Sequence, residues 1–230
     1  MNKNIPARER IIEASSLVFS RQGYAGAKMD AIAQAAGVNK AAIYYHIGNK
    51  KALFEALLLH HFEPLAETLE QQVKAMQGTR SERLQRLIRL LAHVFSEKTP
   101  FPRIMLHELA TGGVNMSKNV LRAIMRVLRC TLSVLSNDET EKTPFNPLLA
   151  HLNIVSGLMF SSLVTPMITR ARTLEGNDGL LPVNPDDMAD HIIQLYDMML
   201  ASQSPDASAH TSATASGNAS QLQTLPEEQQ

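Results

Sequence analysis

The chain has 230 residues, with 22 basic and 22 acidic side chains and one cysteine, so an intrachain disulfide framework is excluded and the balanced total points to no partner. The distribution says more. Residues 1–60 carry eight Lys and Arg (Lys3, Arg8, Arg10, Arg21, Lys28, Lys40, Lys50, Lys51) against four acids (Glu9, Glu13, Asp30, Glu55), a net of +4 balanced by −4 over the rest, which points to an anionic partner for the N-terminal end.

The apolar spacing is helical nearly throughout, and no period-2 run reads as a strand. A first helix over about 7–22 puts Ile11, Ser15, Val18 and Phe19 on one side and stops at Gly23. Two short helices, near 29–35 and 40–46, are joined across Gly37. Asn49 can cap a long fourth helix that starts at Lys50 and ends before Gly78. Thr79 and Glu82 stand in capping-box spacing ahead of Leu84, Leu87, Ile88, Leu91 and Phe95. A short helix over Arg103–Thr111 stops at Gly112-Gly113, and Ser117 can cap the next, whose apolar face begins Val120, Leu121 and Ile124. A polar loop over 137–143 leads to a long helix from about Phe145 to Leu174. The last helix is announced by Asn184 as cap, Pro185 in the first turn, and Asp186 and Asp187 near the positive end of the dipole. From residue 203 the composition turns to Ser, Ala, Thr and Gln, which predicts a disordered tail over 203–230.

Residues 29–47 meet the local demands of a helix-turn-helix. Such a motif needs a small residue where its helices cross, a residue tolerant of positive φ in the turn, and an apolar plug in the second helix. Ala33, Gly37 and Ile43 supply these in register, with Met29, Ile32, Val38 and Ile47 as further buried contacts. The outer face of the second helix then holds Asn39, Lys40, Ala42, Tyr44, Tyr45 and His46. Small and amide-bearing residues near its start can approach base edges in a major groove. Tyr45, His46 and Lys50, with the free amides of the following helix, suit phosphate contacts. The plainer reading makes Gly37 a simple helix stop and the tyrosines half-buried packing.

The same stretch carries a family resemblance. Arg10-Ile11-Ile12-Glu13-Ala14, Phe19 with Gly23-Tyr24, Met29-Asp30-Ala31-Ile32-Ala33, Ala36-Gly37-Val38-Asn39-Lys40, Tyr44-Tyr45-His46-Ile47 and Lys50-Lys51-Ala52-Leu53-Phe54 resemble the DNA-binding domain of the tetracycline-repressor (TetR) family. The resemblance covers about the first fifty-five residues. It implies an all-α homodimer: an N-terminal three-helix helix-turn-helix domain (1–50), joined by a long fourth helix to a C-terminal helical ligand-binding and dimerisation domain (51–202). It also implies repression of a pseudo-palindromic double-stranded DNA operator, relieved by a small apolar or aromatic effector. Position by position, it makes Tyr45, His46 and Lys50 phosphate contacts and residues Asn39 to Tyr44, with Ala41 and Ala42 among them, the base-reading stretch. The chain departs from the family pattern at Ala27-Lys28, where hydroxyl residues are common, at Ala41, where Gly is frequent, and at Ile47, where Phe is frequent. Lys28 can replace the missing hydroxyl contact by charge.

The C-terminal part says less. Phe101, Met105, Met125, Met159 and Phe160 could line an adaptable apolar pocket, with His93, His107 or Glu108 orienting a ligand, although Met and Phe at helical spacing also describe ordinary core. The stretch Arg103–Leu109 followed by Gly112-Gly113 resembles one in members that control multidrug efflux. Leu148, Leu152, Val155, Met159 and Ser162, with Ile192, Leu195, Tyr196 and Met199, recur at helical spacing on the last two helices and predict a four-helix dimer interface, with Ser156, Gly157 and Ser161 allowing close approach. Arg122, Arg126 and Arg129 share one helical face, which reads as a solvated one.

No metal or other cofactor is expected, since adjacent His60 and His61 point about 100° apart on a helix and no His pair stands at i, i+4. Cys130 reads as a packed, inert thiol. There is no Gly-rich phosphate loop, nucleophile motif or useful carboxylate pair, so the chain is not expected to be an enzyme. The N-terminal residues show no signal-peptide h-region, and the most apolar run, Leu148 to Ile168, is broken by His151, Asn153, several serines and Pro166, so a soluble, cytoplasmic protein with no membrane partner is expected. Two alternatives stand beside the ligand-released repressor: a regulator with no small-molecule ligand, and an all-α enzyme or metal protein.

Overall fold

A computed structural model describes residues 6–96, 100–136, 145–175 and 183–202. These residues form α1 (Ala7–Gly26), α2 (Met29–Ala36), α3 (Lys40–His46), α4 (Lys50–Ala75), α5 (Arg80–Ser96), α6 (Phe101–Ala110), α7 (Lys118–Leu135), α8 (Pro147–Glu175) and α9 (Pro185–Ala201), with no strand among them. The tail expected over 203–230 and the polar loop expected over 137–143 lie outside the described residues.

The stop predicted at Gly23 is a kink. Gly23 takes φ 64° and ψ 178°, a conformation closed to side-chain-bearing residues, and one more turn follows to Gly26. α1, α2 and α3 close on a common core in which Ile11, Phe19, Ile32 and Ile43 are fully buried, each contributing about 1.5–3 kcal/mol. The start of α4 completes it: the Phe54 ring meets Phe19 at 4.8 Å and Tyr24 at 5.1 Å, both edge to face. α4 is therefore anchored in the N-terminal core at one end and runs on into the C-terminal helices.

There α4 packs along α7, and α5 along α9. Polar ties reinforce the first pair: Asn119 donates to Glu55 at 2.8 Å, and Arg126 reaches both oxygens of Glu70 at 2.8 Å while also pairing with Glu63. Arg126 thus lies between carboxylates rather than on a wholly solvated face, and its hydrogen bonds hold the Glu70 carboxyl below its ordinary value. The α5–α9 pair is tied by Gln85 donating to Asp197 at 2.9 Å. Pro64 sits inside α4, where it has no N–H to offer the carbonyl of His60 one turn earlier.

α8 departs from expectation. By length and composition Pro147–Leu174 is apolar enough to cross a membrane despite His151, Asn153 and Pro166, and only 22% of its most apolar window is buried. Ala150, Ile154 and Leu158 face the core, while Leu148, Leu149, Leu152 and Phe160 are turned outward.

Candidate nucleic-acid interface

The turn between α2 and α3 is built by Gly37, which closes α2 at φ 65° with its N–H directed to the carbonyls of Ala33 and Gln34. Ala33 is buried where the helices cross, and Ile43 is the one fully buried residue of α3. Asn39 starts α3: its Oδ1 accepts the amide of Ala42 at 2.8 Å, satisfying one orphan donor of the first turn. That leaves the Asn39 side-chain NH₂ as the part able to meet another molecule.

α3 turns the rest of its side chains outward. Tyr45 is 86% exposed and Tyr44 49%; His46 is exposed and its ring meets that of Tyr45 at 5.0 Å. Neither tyrosine is core packing. Ala41 is exposed and Ala42 half-buried, so the first turn of α3 presents little bulk. Lys40 is committed internally: its ammonium lies 3.0 Å from Asp30 of α2, which raises the lysine pKa through that hydrogen bond. Lys50 is held as well, donating to the Ala25 carbonyl at 3.2 Å with its ammonium 4.9 Å from the Tyr24 ring centroid. Lys28 is exposed at the start of α2, which has no side-chain cap. The Asp30 and Ala25 partners were not anticipated; nothing local in the sequence marks them, since they lie ten and twenty-five residues away.

Residues 11–57 match the family model of bacterial regulatory proteins, tetR family. Over those residues the chain is similar to the tetR family of bacterial regulators. It is 33% identical over 79 residues to the transcriptional repressor AcnR of Corynebacterium efficiens, a match covering 34% of this chain and 42% of AcnR. It is 41% identical over 58 residues to the transcriptional regulator SrpR of Pseudomonas putida, covering 25% of this chain and 27% of SrpR. These matched segments span less than half of either relative. The fold extends further: the structure of AibR in complex with isovaleryl coenzyme A and operator DNA aligns at a TM-score of 0.63 and 18% identity, covering 83% of this chain and 97% of AibR.

In the C-terminal helices, the residues expected to form one pocket do not converge. Met125 and Phe160 are 45% and 63% exposed, on the outer sides of α7 and α8, because those helices carry apolar residues on more than one face. Glu108 is buried and accepts from the Asn115 amide at 3.0 Å, pinning the end of α6 to the turn after it. His107 packs against Gly23 of α1. Met105 and Met159 are partly buried against the core. His93 and Phe101 share a cleft of about 500 Å³ between α4, α5 and α6. His60, His61, Pro64 and Thr68 join them there. His61 lies on the Phe101 ring at 4.6 Å with its Nε2 buried and unpartnered, and burial lowers its pKa to about 4.

The expected dimer residues divide in the same way. Leu148, Leu152, Leu195 and Met199 are exposed, while Val155, Met159 and Ser162 are partly so. Ile192 and Tyr196 are buried within the protomer instead: Ile192 packs into the space left by Gly157, and the Tyr196 ring meets Phe145 at 5.0 Å. Gly157 thus admits α9 of the same chain.

Proposed function

We propose that the protein is a DNA-binding transcriptional repressor, acting in the cytoplasm as a homodimer on a pseudo-palindromic operator and released by a small-molecule effector. The observation that carries this reading is the outward face of α3, a short helix seated on the Ile43 plug with Tyr44, Tyr45 and His46 turned to solvent. In a major groove, residues Asn39 to Tyr44 read base edges, with Ala41 and Ala42 permitting close approach and the Asn39 NH₂ donating to an acceptor. Tyr45, His46 and Lys50 contact phosphates, and Lys28 adds a charge contact at the start of α2.

The outward apolar sides of α8 and α9 support a dimer that covers them, as a helix-turn-helix protein reading two half-sites requires. The effector enters among α4, α5 and α6, where the cleft holds Phe101 and His61 and suits an apolar or aromatic compound. α4 lines that cleft and also carries the N-terminal core, so a guest with different affinity for two α4 placements alters the spacing of the two α3 helices. The AibR structure, which holds isovaleryl coenzyme A and operator DNA, lends support to a ligand-responsive regulator.

Incubating the protein with fragments of its genome and footprinting those retained tests the reading. A protected pseudo-palindrome, lost in Tyr45→Ala, is expected. Absence of sequence-selective retention at low salt would overturn it.

A further inference from the structure

A cavity of about 540 Å³ lies between α1 and the C-terminal helices, within the roughly 300–1,000 Å³ typical of small-molecule sites. Leu17, Ser20 and Arg21 of α1 form one wall; Arg103 of α6, Leu163 of α8 and Pro185 of α9 stand on the others. It shares no lining residue with the α4–α5–α6 cleft.

Its charge is one-sided. Arg21 and Arg103 border it, and among the described residues no carboxylate does. Neither arginine has an acidic partner among the described residues. The hydroxyls along the walls have spent their hydrogens on backbone carbonyls: Ser20 on Leu17 at 3.0 Å, Ser162 on Met159 at 2.7 Å and Thr165 on Ser161 at 2.8 Å. Asn184 uses its Oδ1 to cap α9. Among the described lining side chains, the donors left for a guest are the Asn184 NH₂ and the two guanidinium groups. Asp187, in the first turn of α9, is outside the lining and accepts from the Asn184 backbone amide.

We infer that this cavity binds an amphiphile with an apolar body and one anionic head group, a carboxylate or a phosphate, held by Arg21 and Arg103. The guanidinium fork matches the oxygen pair of either head group, and Leu17, Leu163, Pro166 and Pro185 receive the body. Arg21 belongs to the DNA-binding helices and Arg103 to the C-terminal ones, so the guest bridges the two and favours one relative placement. The inference rests on the ligand-responsive reading above and adds to it a second site of different chemistry.

Titration calorimetry of the full chain tests it, with decanoate and decyl phosphate below their micellar concentrations and decanol below its solubility limit. At least one anion is expected to bind about tenfold or more tightly than decanol, and the better of the two identifies the head group. Arg103→Gln is expected to weaken that anion about tenfold with the melting midpoint unchanged, and Arg103→Lys to recover part of the loss. Arg21→Gln provides an independent variant on the opposite wall. Equal binding of decanol and the anions, or full anion affinity in both glutamine variants, overturns the site. Retention of genomic fragments by the same preparations separates the two levels. Unmodified protein that holds DNA without preferring an anion refutes this site alone, whereas protein that holds no DNA refutes the regulator reading.

Discussion

The imidazole of His107 on α6 lies against Gly23 of α1, where an added Cβ would come within 3.3 Å of Nδ1. The contact joins the first helix of the N-terminal core to a helix beside the cleft proposed to take the effector. Gly23 also holds φ 64° and ψ 178°. Gly23→Ala is therefore expected to cost about 1–3 kcal/mol from backbone strain, with a steric cost added by the imidazole. Adding His107→Ala should recover only the steric part. Thermal unfolding of Gly23→Ala, of His107→Ala alone and of the double variant measures both, and an unchanged midpoint in Gly23→Ala would remove the argument.

Asn39 has two separable duties. Its Oδ1 caps α3 and its NH₂ faces outward. Asn39→Ala is expected to lose about 0.5–2 kcal/mol of stability together with operator affinity. Asn39→Asp keeps an acceptor for the Ala42 amide but puts a carboxylate where a donor stood, so it should retain stability and still lose DNA binding. Paired unfolding and gel-shift measurements decide. Full operator affinity in Asn39→Asp would mean that the side chain does not face the bases.

His61 predicts a pH dependence. Burial holds its pKa at about 4 in the folded chain, against an ordinary 6.5. Between those values the unfolded chain takes up a proton that the folded chain refuses, so stability is fully present above pH 6.5 and declines as pH falls toward 4. The partial exposure of the ring brings the loss down to the order of 2 kcal/mol. Denaturant titrations at several pH values should show a shallower acid decline in His61→Leu than in the unmodified chain. Identical slopes would mean that the ring takes up its proton in place.

Much of the fold was legible because its signals are local. Asn49, Ser117 and Asn184 each cap the helix that follows, and Thr79 and Glu82 exchange the two hydrogen bonds of a capping box. A cap is read from three or four adjacent residues. The inward face of α8 and α9 is a tertiary property and was not legible, because both helices carry apolar residues on more than one side. Ile192 and Tyr196 have the same spacing as Leu195 and Met199, yet the first pair is buried and the second exposed. The cleft between α4, α5 and α6 was not legible for a related reason: it depends on which helices cross at Phe101, and the histidines of α4 carried no pattern that placed them there.

That division makes the dimer proposal testable residue by residue. Leu152 is 54% exposed on α8, and a partner's α8 and α9 would bury that exposed half for about 1 kcal/mol per protomer. Leu152→Glu places two carboxylates in the apolar centre of such an interface, while in the monomer it changes only a solvated position. The expected result is a halved mass by light scattering at micromolar concentration, with helical content unchanged. Operator affinity should fall with it, because a monomer reads one half-site. Ile192→Glu should instead unfold the chain, since its carboxylate would be buried among Gly157 and its neighbours within the protomer. A Leu152→Glu protein that stays dimeric would place the interface elsewhere and leave the outward apolar side of α8 in need of a different partner.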